Sequence, residues 1–195
     1  PVIWTIMASF KKGNNLFSST FSGIEFTFDH YITLFTDTPY MQWYLNTFIL
    51  ATANMLISLI VVTMTAYVFS RYRFRGKRNT LMSILVLQMF PAFLSMTAIY
   101  ILLSKANLID TYTGLLLVYV TGSLPFMTWL VKGYFDAIPT SLDEAAKIDG
   151  AGELKTFLSI ALPLAKPIIA VMVLYYAVAH WNDYFNALLY VSDQT

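Results

Sequence analysis

Charged residues fall along the chain in bursts, separated by long apolar intervals. No Asp, Glu, Lys or Arg occurs between Asp37 and Arg71, between Arg78 and Lys105, between Asp110 and Lys132, or between Lys166 and Asp183. The first three intervals exceed the roughly 20 residues a helix needs to cross about 30 Å of hydrocarbon. The fourth is a little short, but Lys166 can extend outward along its methylenes and Asp183 can sit among headgroups. The pattern predicts helices near 41–70, 79–104, 115–131 and 167–186. Residues 1–10 are apolar but too few to span, and read as the tail of one more span. The apolar runs are continuous, without the period-two alternation of a membrane barrel. The expected fold is all-α, a polytopic transmembrane helical bundle forming a single domain over 1–195.

Composition agrees. The chain is 57% hydrophobic and 12% charged, against about 45–50% apolar and about 25% charged in soluble domains. Buried helices of a soluble protein at this density would leave almost no surface for water. A net charge of +1 gives no case for a nucleic-acid surface. With no Cys, disulfides, thiolate metal sites and thiol nucleophiles are excluded. His30 and His180 are too few and too far apart for a metal cluster.

The basic residues give an orientation. Arg71, Arg73, Arg75, Lys77 and Arg78 form one acid-free loop. The segment 132–166 lies on the same side and adds Lys132, Lys147, Lys155 and Lys166. Only Lys11, Lys12 and Lys105 fall opposite, so the rich side is assigned to the cytoplasm.

Polar residues inside the spans carry two readings each. Thr47, Ala51, Asn54, Ser58 and Thr65 share a small polar face of the first full helix, suited to close helix packing or to lining a wet path. Thr121, Gly122, Ser123 and Pro125 lie near the middle of 115–131. Pro125 removes a backbone donor, and a broken helix at mid-membrane points to a transport path. A plain kink is the alternative.

The cytoplasmic loop 132–166 is the most informative stretch. Ser141 is placed to cap a short helix, with Glu144 completing a capping box. Asp143 and Lys147 stand at i,i+4, and Gly150 offers a left-handed stop. A second short helix carries an apolar stripe at Leu154, Phe157, Leu158 and Ala161. Pro163 and Pro167 then bracket re-entry into the membrane, with Pro167 suited to a first helical position. An eight-residue helix is marginal alone. Its Ala145–Ala146 surface permits close approach, and its acids disfavour an anionic bilayer. That points to a protein docking site, with packing on its own loop as the other reading.

Glu144-Ala145-Ala146, then Gly150, Ile160, Leu162 and Pro163, resemble the EAA loop of bacterial ABC import permeases at every position and spacing. Lys132-Gly133-Tyr134-Phe135, Ile148-Asp149-Gly150-Ala151, Gln88-Met89-Phe90-Pro91 and Tyr44-Leu45-Asn46-Thr47 resemble its carbohydrate branch, especially the smaller permease of maltose-type importers. The segment His180–Asn186 looks more like permeases for larger or plant-derived saccharides. The resemblance covers essentially the whole chain. It implies an ABC importer type I permease in the bacterial cytoplasmic (inner) membrane, pairing with a second permease subunit. Two ATPase subunits would each receive one EAA helix, and an extracellular or periplasmic sugar-binding protein would deliver the sugar. Six spans are usual, so one further helix is expected after Thr195. The coupling element would comprise Ser141, Asp143, Glu144, Ala145, Ala146, Asp149, Gly150, Ala151, Leu162 and Pro163.

The residues agree that energy comes from elsewhere. No phosphate loop is present, since Gly76-Lys77 is followed by Arg78 without the required upstream Gly. No catalytic constellation or metal site is evident, so no cofactor is expected in this chain, and ATP and Mg would be bound by the partner ATPase. A membrane-embedded transferase is the rival class, and a permease for a non-sugar solute the rival substrate. The candidate translocation path or substrate residues are Asn54, Gln88, Gly122, Tyr176, His180, Asn182 and Asp183. Tyr176, His180 and Asp183 recur at i,i+4,i+7 near the outer end of their helix. Rings there can cover sugar faces while Asn and Asp bond hydroxyls, or the cluster is an interfacial aromatic belt.

Overall fold

The computed structural model describes residues 2–12 and 26–191; Pro1, the first residue of the expected stub, lies outside them. Two compact units are distinguished, 1–47 and 48–195. In the first, helix α1 (Val2–Ser9) and helix α2 (Asp29–Thr36) are tied by Ser9 Oγ to Tyr31 OH at 2.6 Å and by His30 Nε2 to the Lys11 carbonyl at 2.9 Å. Phe10 packs on Phe28 and Tyr31. An isolated bridge joins Lys11 and Phe26. Among the described residues this is the only β pairing.

Among the described residues, two helices are long and apolar enough to cross a membrane unaided: α3 (Tyr40–Arg71, 32 residues) and α6 (Tyr112–Ala137, 26 residues). Both contain the expected spans and overrun them by a few residues. The predicted helix at 79–104 is instead two, α4 (Lys77–Gln88) and α5 (Ala92–Lys105), meeting at a bend of 105°. The cause is Pro91, which has no N–H to donate and disfavours helical backbone at Phe90. Conversely, α6 runs through Pro125 without a break. Upstream of it, Thr121 Oγ1 donates to the Leu117 carbonyl at 2.6 Å and Ser123 Oγ to that of Tyr119 at 3.0 Å; neither is the Thr121 carbonyl, whose helical donor Pro125 lacks. The broken span is therefore 77–105 and not 112–137.

The last predicted span also stops early. Helix α10 (Lys166–Trp181) ends before Asp183, and α11 (Phe185–Tyr190) begins anew. Asp183 Oδ2 accepts the Ala187 N–H at 3.2 Å, so its carboxylate caps the second helix instead of continuing the first.

Between α6 and α10 lie α7 (Ser141–Ile148), α8 (Glu153–Thr156), a π-turn over Phe157–Ala161 and α9 (Leu162–Leu164). The π-turn closes with the Leu162 N–H on the Phe157 carbonyl, which inserts one residue into the helical register. The core here is accordingly Phe157, Ala161 and Ala165, with Leu154 and Leu158 exposed. That corrects the expected four-residue stripe. Phe157 packs against Tyr67 of α3, which also meets Phe135 of α6, at ring separations of 5.0 and 5.6 Å. Val62, Ala66, Met127, Val131, Ile168 and Met172 extend the same core through α3, α6 and α10.

The orientation is directly testable, because the chain has no cysteine of its own. A cysteine at Asn79 is expected to be blocked only by reagents on the cytoplasmic side, and one at Asn107 only from outside. The reverse labelling would invert the assignment of every loop.

Candidate functional site: the 138–153 loop and its anchor

Helix α7 has two distinct sides. Asp143 and Ala146 are buried, while Ser141, Glu144, Ala145, Lys147 and Asp149 are exposed. Leu142 is 42% and Ile148 86% exposed.

The expected capping box does not form. Thr140 occupies the cap position without a side-chain bond, and Ser141 is already inside the first turn. The Glu144 N–H is satisfied by the Thr140 carbonyl at 3.0 Å, leaving the Glu144 side chain outward. The expected Asp143–Lys147 pair is replaced by two others. Arg71, the last residue of α3, places Nε 2.5 Å from Asp143 Oδ2, with both side chains only 8% exposed. The contact is close but poorly directed for a hydrogen bond, and Asp143 Oδ1 has no hydrogen-bond partner among the described residues. Arg71 Nη2 donates to the Ile138 carbonyl at 2.9 Å. Lys147 turns to Glu153 at 2.7 Å. Tertiary burial overrides the local helical pairing, because the Arg71–Asp143 attraction acts away from water and the exposed alternative is screened.

Glu153 also accepts the Tyr72 hydroxyl. The Lys147 ammonium and then the Tyr72 hydroxyl hold its carboxyl below the usual glutamate range. Burial first, and then the bond to the Glu153 carboxylate, push the Tyr72 phenol upward. On the neighbouring edge Asp136 receives Ser70 Oγ at 2.7 Å and Lys132 at 2.6 Å. The ends of α3 and α6 thus grip the loop at several points.

Gly150 ends α7 as expected. Its φ is +84°, its N–H reaches the Lys147 carbonyl at 3.0 Å, and the Ala151 N–H reaches that of Ala146 at 2.9 Å. This is a Schellman closure, which favours glycine at the left-handed position. Ala151 and Leu162 are half-buried and Pro163 is exposed.

The residues proposed for a path are dispersed. Asn54 and Tyr176 are fully buried, within the packing of α3 and α10. Gln88 and Gly122 are exposed, Gln88 closing α4 just before the break. His180 is half-buried, with its ring between those of Tyr119 (4.4 Å) and Tyr176 (6.0 Å, stacked). Asp183 accepts the Tyr119 hydroxyl at 2.7 Å and the Asn186 amide at 3.0 Å. Asn182 is exposed and its Nδ2 donates to the Val178 carbonyl at 2.8 Å. The structure therefore joins Tyr176 to His180 by ring contact and His180 to Asp183 through Tyr119, a residue that spacing along the chain does not single out. The same holds for Arg71, Tyr72 and Glu153. Arg71 was legible only as one of several charges in a basic loop, and nothing local marks its partner.

Residues 60–194 match the family described as binding-protein-dependent transport system inner membrane component. The maltodextrin transport system permease protein MdxG of Bacillus subtilis (strain 168) is 43% identical over 185 residues, covering 94% of this chain and 66% of that protein. The galactooligosaccharides transport system permease protein GanQ of the same organism is 44% identical over 175 residues, covering 88% and 62%. The chain thus spans a little under two thirds of the length of these relatives. A crystal structure of a bacterial ABC transporter involved in the import of the acidic polysaccharide alginate contains a chain that superposes with a TM-score of 0.85 at 28% identity. The match covers 98% of this chain and 68% of that one.

Proposed function

The chain belongs to the binding-protein-dependent transport system inner membrane component family, and from that premise we propose that it is the membrane-embedded subunit of an ATP-driven sugar importer. It forms half of the translocation path, opposite a second permease. It docks an ATPase subunit through the outward face of α7, and receives sugar from an external binding protein. Hydrolysis, with its ATP and Mg2+, belongs to the ATPase chain. The cytoplasmic membrane is its place of work.

One observation carries this reading. Helix α7 is fastened inward by Asp143 and Ala146 while Glu144, Ala145 and Ile148 face outward. An element presented this way can be pushed by a partner without coming loose from the bundle. Closure of two ATPase subunits would draw two such helices together, and the anchors at Arg71 and Tyr72 would carry the displacement into α3. The sugar class is supported by the maltodextrin and galactooligosaccharide permeases among the relatives.

Glu144→Lys reverses an outward charge without touching the anchor. Gly150→Pro forbids the positive φ and removes the N–H that bonds to Lys147. Both variants are expected to insert and assemble yet to lose ATP-dependent uptake in proteoliposomes by about tenfold or more, which corresponds to about 1.4 kcal/mol or more of coupling. Uptake at the unmodified rate by either variant would defeat the proposal. Loss of a maltodextrin substrate with retained uptake of a non-sugar solute would move it to the other substrate class.

A further inference from the structure

The loop between α3 and α4 reverses at Gly76, whose φ is +90°. It carries Arg73, Arg75, Lys77 and Arg78, and among the described residues none of them is ion-paired. Beside it lies a cavity of about 490 Å³ whose lining includes Arg73, Lys77 and Arg78 together with Phe74, Met82 and Trp129. Lys77 gives one bond to the Tyr72 carbonyl at 3.1 Å. No acid lines the cavity, and Asp136, which Lys77 feels electrostatically, is already held by Lys132 and Ser70. Arg73 and Arg78 therefore leave the cavity with excess positive charge. The indole N–H of Trp129 donates to the Leu81 carbonyl at 3.3 Å, fixing the ring as a wall between α6 and α4. Phe74 and Met82 are each nearly half exposed, and Leu85, Val86 and Leu87 continue an open apolar track along α4.

We infer that this cavity binds the headgroup of an anionic phospholipid in the cytoplasmic leaflet, with the acyl chains lying along α4. A basic pocket at that depth matches a phosphate. An indole there matches the interfacial zone, and the apolar track gives the chains a place that a free anion would not use. A zwitterionic lipid matches the charge less well. The inference rests on membrane embedding alone and not on the sugar or the ATPase partnership, so failure of the transport reading leaves it intact.

The test is fluorescence quenching in the complete transporter, reconstituted with cysteine-free partner chains. A bimane label on Met82→Cys reports dibromo-phosphatidylglycerol against dibromo-phosphatidylcholine in the same vesicles. Expected is a preference for phosphatidylglycerol that falls about fivefold for each of Arg73→Gln and Arg78→Gln, and persists in Arg75→Gln, which does not line the cavity. Equal quenching by the two lipids, or a preference insensitive to Arg73→Gln and Arg78→Gln, overturns the site. So does displacement of phosphatidylglycerol by inorganic phosphate, which marks a free-anion site. A preference seen only when the ATPase is stripped away assigns the cavity to a protein contact and overturns it equally.

Discussion

Replacing Arg71 with alanine is expected to unseat α7 and to cost about 3–5 kcal/mol, the scale for removing one partner of a buried ion pair. Asp143 would stay 8% exposed without a counter-charge, and its second oxygen has no hydrogen-bond partner among the described residues to fall back on. Asp143→Ala should cost less, because Arg71 keeps its bond to the Ile138 carbonyl and a long side chain reaches solvent more easily than a short one. Substituting both at once, Arg71→Ala with Asp143→Ala, should cost less than the sum of the two single losses, since no charge is then stranded. The exposed Lys147–Glu153 pair cannot substitute for it, because water and salt screen it. Thermal unfolding of the detergent-solubilised complex, with protease sensitivity of the loop 138–153, measures the cycle. If the losses of the two single variants simply add in the double, Arg71 and Asp143 are not coupled and the anchor assigned here is wrong.

Gly114→Ala is expected to meet the closest backbone obstacle of any glycine-to-alanine change among the described residues. A Cβ there would stand 2.2 Å from the Leu108 carbonyl oxygen and 3.2 Å from Thr111 Oγ1. The obstacle is backbone, and that backbone is tied: Thr111 Oγ1 donates to the Leu108 carbonyl at 2.8 Å and in turn accepts the Gly114 N–H at 3.0 Å. Moving Leu108 aside disturbs both bonds that start α6. The cost should reach or pass the upper end of the about 1–3 kcal/mol usual for overpacking. Gly122→Ala and Gly133→Ala on the same helix provide the comparison, because nothing lies within 4 Å of a Cβ at either place. They should be neutral or slightly stabilising, alanine being the better helix former by about 1 kcal/mol. A melting temperature for Gly114→Ala equal to that of Gly122→Ala would refute the close approach.

What could be read in advance follows a physical division. Hydropathy reports solvent, so charge-free intervals located α3, α6 and α10 to within several residues. It does not report path, so the 105° bend between α4 and α5 was missed although Pro91 was in plain view. Pro125 draws attention instead, yet α6 stays whole through it. Local rules predicted the stop at Gly150 correctly, since its φ and its two bonds belong to neighbouring residues. The same rules failed for Ser141 and for Asp143 with Lys147. There the competing partners, Arg71 and Glu153, come from other elements, and burial decides between them. Tyr119 was overlooked for a similar reason: only the packed structure shows that it bridges His180 and Asp183.

The contacts that hold the loop to the end of α3 are all distant in the chain. Ser70 waits 66 residues for Asp136, Arg71 waits 67 for Ile138, and Tyr72 waits 81 for Glu153. During synthesis, then, Arg71 emerges long before anything exists to neutralise it. In that interval it is one more positive charge resisting translocation, helping to decide which way the first full span settles in the bilayer. Only after α6 has come back through the membrane does Asp143 arrive and bury it. One guanidinium thus serves two successive stages of biogenesis, first as a topogenic signal and then as a fastener. A charge-preserving change such as Arg71→Lys would separate them, keeping the first role while weakening the second.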